Sequence, residues 1–169
     1  LEAPPLKKSF AELEFVNTIV KSLPIEENAL NKRHIVTGYN YSKVKPTPRS
    51  NPRLVSLSKP ALELLDLDIE AVQNDPDTPL YLAGNKLPSN SEPIANCYCG
   101  HQFGVFAGQL GDGRAITLGD IRNHKGELWE LQYKGSGQTP YSRFADGKAV
   151  LRSSIREYLC SEALWKLGI

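Results

Sequence analysis

Apolar residues recur at helical spacing near the start of the chain, at Phe10, Leu13, Val16, Val20 and Leu23. Ser9-Phe10-Ala11-Glu12 precedes them as a capping-box pattern, and Pro24 ends the run. This spacing predicts a helix over 9–23. From Tyr39 to Pro52 the chain carries Pro46, Pro48 and Pro52 among basic residues, which favours extended structure with a strand near Tyr39 to Val44. Ser58 is placed to cap a short helix with Pro60 in its first turn, running to about Leu65. Asp75 to Pro79 reads as a turn leading into another helix, and Lys86 to Pro93 as a polar loop.

Beyond Cys97 the pattern shortens to a period of two. Ala115 to Ile121 has strand character, Asn123-His124-Lys125-Gly126 makes a hairpin connection, and Glu127 to Lys134 is the partner strand. Trp129, Leu131 and Tyr133 share one face, suited to a core; Leu128, Glu130, Gln132 and Lys134 share the other, suited to a cleft or to water. Arg152 to Leu167 then reads as a helix, with Leu151, Ile155, Leu159 and Ala163 as an apolar stripe and Gly168 as its C-terminal glycine. Glu157 lies off that stripe as a buried-looking carboxylate. Ser153, Ser154, Cys160 and Ser161 surround it, small enough to let another element approach.

Composition changes this picture little. The chain has 169 residues, 40% hydrophobic and 23% charged, enough for one globular domain. Its net charge of +1 gives no electrostatic case for nucleic acid, and no apolar run approaches a membrane span. The N-terminal LEAPPLKKSF has neither a signal peptide's apolar core nor a transit peptide's look, and is expected to be a processed or engineered start. Three cysteines, Cys97, Cys99 and Cys160, make no disulfide framework and suit reduced thiols. With His101 they lack zinc spacing, so packing is the expected role and no metal ligand is assigned.

The candidate chemistry lies between Gly108 and Glu157. A phosphate chain needs positive charge, N–H donors and a backbone it can approach closely. Gly108-x-x-Gly111-x-Gly113 offers such a loop, Arg114 can fork onto phosphate oxygens, and Lys134 ends its strand on the polar face. Glu157 is placed to hold Lys134. Glycine loop, strand lysine and helix glutamate follow the order of a protein-kinase N-lobe. Ile116 stands at the third glycine position of the kinase loop, and Arg114-Ala115 replaces the Lys-Ser/Thr of a Walker loop. Each part alone also suits a bland reading: a turn, a solvated lysine, a glutamate on a wet helix face. Asp146-Gly147 is most simply a turn before the helix, and Arg143, Arg152 and Arg156 a solvated set.

The stretches CYCGHQFGVFAGQLGDGRA, ELQYKGSGQTPYSR and DGKAVLRSSIREYLCSEALWKLGI strongly resemble the selenoprotein O family, nearly continuously from Asn96 to Ile169. YSKVKPTPRSNPRLVSLS, from Tyr41, is similar to the family's N-terminal region. The resemblance implies an α+β, protein-kinase-like N-lobe, a twisted antiparallel sheet with a C-helix equivalent. Residues 1–95 would be a helical and extended N-terminal extension packing on the lobe, and 96–169 the lobe's core; the C-lobe would be absent from this chain. It implies a protein adenylyltransferase that transfers AMP from ATP to Ser, Thr or Tyr hydroxyls of proteins, with ATP bound flipped relative to ordinary kinases. By motif, Gly111, Gly113, Arg114, Lys134, Asp146 and Gly147 would bind the nucleotide, and Lys134 and Glu157 would be the catalytic pair. The Mg2+ ligands and the catalytic aspartate would lie beyond Ile169, leaving the fragment alone inactive. Lys148 stands where arginine is common, and Asp120 where glutamate is common. The family's eukaryotic branch is mitochondrial and its bacterial members cytoplasmic. A non-catalytic ATP-binding pseudokinase scaffold, an ordinary phosphotransferase and a plain interaction domain remain as alternatives.

Overall fold

The computed structural model describes residues 5–27 and 30–169, so the first four residues of the N-terminal stretch read for targeting lie outside it. The fold is α+β. Among the described residues an open sheet runs in the order β1-β2-β3-β5-β6, with β4 paired to β3. Its strands are β1 (Ile25–Glu26), β2 (Tyr41–Lys43), β3 (Ile94–Gln102), β4 (Val105–Gly111), β5 (Ala115–Arg122) and β6 (Leu128–Lys134). The helices are α1 (Thr18–Ser22), α2 (Lys59–Leu64), α3 (Ile69–Asn74), α4 (Thr78–Leu82) and α5 (Leu151–Lys166). The antiparallel ladder followed by one long helix matches the kinase-like N-lobe expected from the resemblance.

The register explains where the glycines fall. β3 pairs antiparallel with β4 at Cys97↔Gly111 and with β5 at Ile94↔Thr117. β4 and β5 therefore run end to end along β3, and residues 112–114 are the interruption between them. Gly108 does not belong to that turn. It lies within β4, at φ +60° with open space around it. The expected glycine loop over 108–113 thus contracts to its second half.

The N-terminal helix is where sequence and structure part. Only a 3-10 turn at Phe10–Glu12 and the short α1 form, in place of a helix over 9–23. Ser9 does cap its turn, accepting from Ala11 N at 3.3 Å, but the Glu12 carboxylate reaches Lys8 N at 3.3 Å. Leu13 to Asn17 is pulled straight by the sheet. Phe15 bridges Ile121, Val16 N donates to Asp120 O at 2.8 Å, and Asn17 takes a left-handed φ of 56°. The helical spacing reflected two buried anchors, Phe10 and Leu13, which both pack into one core cluster.

The short helices obey local chemistry. Ser58 caps α2, accepting from Ala61 N at 3.2 Å, with Pro60 in the first turn as expected. Asp68 does the same for α3, accepting from Ala71 N at 2.9 Å; this helix had no sequence expectation. Two apolar clusters hold the layers together. Phe10, Leu13, Leu62, Leu65, Leu67 and Val72 pack with Ile121; Val36 and Val44 pack with Ala95, Ile116, Leu118, Tyr133 and Tyr141. Each cluster draws on residues before and after position 95, so β5 and one face of β6 are covered by the N-terminal segment. Burying one such side chain contributes about 1.5–3 kcal/mol.

Candidate nucleotide-phosphate site

Strand pairing sets the two cations side by side. Lys134 faces Ala115 across the β5–β6 ladder, one residue from Arg114, and Gly135 N donates to Arg114 O at 2.6 Å. Along β6 burial alternates as the sequence pattern predicts: Tyr133 is buried, while Leu128, Glu130, Gln132 and Lys134 are exposed. α5 brings the carboxylate. Glu157 Oε1 lies 3.3 Å from Arg114 Nη2, and Oε2 lies 3.7 Å from Lys134 Nζ. One carboxylate between two cations leaves the trio with a net positive charge, and the small residues flanking Glu157 leave room for both.

Glu157 is not buried. Its side chain is 43% exposed, with Arg114 at 41% and Lys134 at 49%. Water screens such pairs, and each is worth about 0–1 kcal/mol. The trio therefore orients its charges more than it stabilises the fold, and an incoming anion can take over either cation at small cost.

The glycine turn is held from behind by the segment 139–142. A Cβ on Gly111 would lie 2.3 Å from Tyr141 Cγ, and one on Gly113 would lie 2.8 Å from Tyr141 O. Thr139 Oγ1 donates to Asp112 O at 2.6 Å, and Ser142 Oγ donates to Gly113 O. Asp112 N donates to Asn96 O at 2.9 Å, and Asp112 Oδ2 accepts from Asn96 Nδ2 at 2.8 Å. Glycine is required at 111 and 113 by this close packing, where the sequence suggested an open loop of free N–H groups. Tyr141 is buried, its hydroxyl 2.8 Å from Ser42 Oγ, and burial pushes its phenol well above the ordinary range.

Gly111, Gly113, Arg114, Gly147 and Lys148 line one cavity of about 300 Å3, together with Tyr141 and Arg143. Asp146 is exposed beside it and accepts from Lys148 N at 2.9 Å, the expected turn, without lining it. Gly147 sits at φ +69°, where a Cβ would be 1.9 Å from Gly137 O, so the turn into α5 packs on the loop after Lys134. Lys134 borders a smaller recess of about 100 Å3, shared with Arg49, Gly135 and Ser136. The structure thus joins Arg114, Lys134 and Glu157 directly, sets three glycines on one adjoining cavity, and leaves Asp146 at its margin. Sequence reasoning missed Thr139, Tyr141 and Ser142. The hydroxyl run Thr139-Pro140-Tyr141-Ser142 was the available signal, since such side chains bond to nearby carbonyls.

A protein-family model described as protein adenylyltransferase SelO matches residues 26–169. The chain belongs to the SelO family. A zebrafish (Danio rerio) member named protein adenylyltransferase SelO-1, mitochondrial, is 51% identical over 174 residues, covering 96% of this chain and 25% of that protein. A mouse (Mus musculus) member named protein adenylyltransferase SelO, mitochondrial, is 50% identical over 172 residues, covering 98% of this chain and 26% of that protein. A Methylobacillus flagellatus member named protein nucleotidyltransferase YdiU is 52% identical over 157 residues, covering 93% and 30% respectively. The chain therefore spans between 25% and 30% of the length of these relatives.

The two positions expected to depart from the family's pattern, Asp120 and Lys148, each find a place in the fold. Asp120 is buried; its carboxylate accepts from Thr18 N at 2.9 Å and from Thr18 Oγ1 at 2.7 Å, which anchors α1 to β5. Lys148 lines the cavity beside Arg114 and supplies a cation, as an arginine would. Among the described residues no group of three or more His, Cys, Asp and Glu side chains is gathered to hold a metal, and Cys97, Cys99 and Cys160 are free thiols. No helix among them is long and apolar enough to cross a membrane.

Proposed function

We propose that the whole protein to which this chain belongs is a protein adenylyltransferase, moving AMP from ATP to Ser, Thr or Tyr hydroxyls. The observation that carries the reading is Glu157 bridging Arg114 and Lys134 beside a glycine-lined cavity. In this reading Arg114 and Lys134 hold phosphate oxygens and Glu157 keeps both cations aimed. Gly111, Gly113 and Gly147 allow close approach to the nucleotide, and Asp146 touches it from the rim. The acceptor oxygen attacks the α-phosphorus, the bond from that phosphorus to the bridging oxygen of the β-phosphate breaks, and pyrophosphate leaves. The hydroxyl proton goes to a base proposed to lie beyond Ile169, where the Mg2+ ligands are placed as well. Among the described residues no group of side chains is gathered that would hold the metal. Arg114 and Lys134 contribute by positioning and charge.

Residues 1–95 act in this reading as an extension bracing the 96–169 core, supported by the two clusters that straddle position 95. A eukaryotic source would place the protein in mitochondria, as the zebrafish and mouse relatives are named, and a bacterial source in the cytoplasm. The test uses the full-length protein with ATP labelled at the α- or the γ-phosphate. Label from the α position appearing in protein is the expected result. Transfer of γ-label points to an ordinary phosphotransferase, and ATP binding without transfer to a scaffold.

A further inference from the structure

A second cavity, of about 320 Å3, adjoins the glycine turn on the side of the β3–β4 hairpin. Arg33, Ile35, Phe103, Val105, Arg143 and Phe144 line it. Its apolar members stand in water: Phe103 is 94% exposed, Phe144 93% and Ile35 74%. The hairpin tip that presents Phe103 is fixed by left-handed backbone at Phe103 and Gly104. The cations are held on the groove's walls. The Arg33 guanidinium lies 4.9 Å over the Phe144 ring, and Arg143 Nη2 donates to Gln102 Oε1 at 2.5 Å. Gln109 ties the Arg33–Ile35 wall to β4, donating to His34 O at 2.9 Å and accepting from Val36 N at 2.8 Å. No carboxylate lies among the described residues lining the groove. Gln102, Tyr141 and Arg143 border both this groove and the cavity beside Arg114, so the two adjoin.

The geometry points to this groove as the docking surface for the acceptor protein, taking an extended segment in which apolar side chains alternate with Asp or Glu. Exposed aromatic rings supply the apolar contact, and two arginines without a neighbouring carboxylate set the sign of the charge that fits. A segment lying here is next to the cavity proposed for the phosphates. The assignment rests on the adenylyltransfer reading for its purpose, but the groove's selectivity is measurable without it.

The probe is a fluorescent peptide of about twelve residues in which Glu alternates with Leu and Phe, with a twin carrying Lys for Glu. Anisotropy titration is done on the full-length protein, the Arg33→Glu variant and the Phe103→Ser variant. Arg33 and Phe103 are exposed, so both variants are expected to keep the fold. The acidic peptide is expected to bind at least about tenfold more tightly than its twin. Arg33→Glu should weaken the acidic peptide about tenfold and favour the basic one, whereas Phe103→Ser should weaken both. Equal affinity for the two peptides, no binding of either, or indifference to Arg33→Glu would overturn the assignment; the middle result means that the rest of the chain covers the groove. Charge-selective binding without α-label transfer sinks the adenylyltransfer reading and the acceptor role with it, leaving a selective peptide groove; label transfer without charge-selective binding sinks the groove alone.

Discussion

The two halves of the candidate site differ in how far this chain buries the elements that carry them. Lys134 and Arg114 stand at the end of the β5–β6 ladder, where Ile116 and Leu118 are fully buried and Tyr133 nearly so. Glu157 stands on α5, a helix with no buried residue at all. The apolar stripe expected to seat that helix is open: Leu151 is 61% exposed, Ile155 44% and Leu159 61%. α5 is tied at its middle by Tyr158, whose hydroxyl donates to Leu57 O at 3.0 Å, and its stripe borders a groove with Val55 and Ser56. The cations are thus positioned by the core, and the carboxylate by a helix that contributes little to it.

The sharpest way to break this contrast is to truncate one leucine from each half. Leu118→Ala removes a fully buried side chain from the sheet and should cost about 2–5 kcal/mol. Leu159→Ala removes an exposed one and should stay within about 0.5 kcal/mol. Urea unfolding of the 169-residue chain measures both. Similar costs would mean that α5 is seated as firmly as the strands.

A kinetic comparison sharpens the same point within the proposed site. Lys134→Ala in the full-length protein should lower α-label transfer by roughly 100- to 1,000-fold, the usual loss for one charge-stabilising donor. Glu157→Gln should cost far less, about tenfold or under, since its pairs are half exposed and weak. Losses of equal size would show that the carboxylate is held as rigidly as the lysine in the whole protein. Full activity in Lys134→Ala would remove the lysine from the site.

These contrasts follow how much could be read from the chain. The β5–β6 hairpin was legible because its period of two, its Asn123–Gly126 turn and its burial all agree, and that agreement placed Lys134 correctly. α5 was legible as a helix within a residue at each end, because periodicity records helix formation. Its burial was not, because a stripe of leucines does not say what covers it. Glu157 was misread as buried for the same reason. The helix over 9–23 failed where long-range pairing won: Val16 N and Thr18 N are both claimed by Asp120, about a hundred residues away, and no local pattern reports that. The glycine turn was found, but its backing by Tyr141 was invisible, since a glycine required by a neighbour's ring looks the same as one required by a ligand.

The smallest expected effect concerns the wall of the docking groove, at His34. Its Nδ1 lies 2.8 Å from Lys32 O and its Nε2 lies 2.8 Å from Glu26 Oε1, so the doubly protonated ring donates to both. The Lys32 carbonyl raises its pKa most; partial burial opposes this, and the Glu26 carboxylate adds to the rise. A folded-state pKa above the ordinary value of 6.5 means that folding favours the protonated ring. That stabilisation is fully present below pH 6.5 and is lost as pH rises through the raised value. The difference in urea midpoint between the chain and its His34→Gln variant should therefore shrink from about pH 5.5 toward 8.5. The side chain is 28% exposed, so solvent screening keeps the change small. A difference that stayed flat, or grew with pH, would mean that His34 is not paired with Glu26 in its charged form. The wall carrying Arg33 would then be held by the Gln109 bonds, the Arg33–Phe144 stack and the buried Val36.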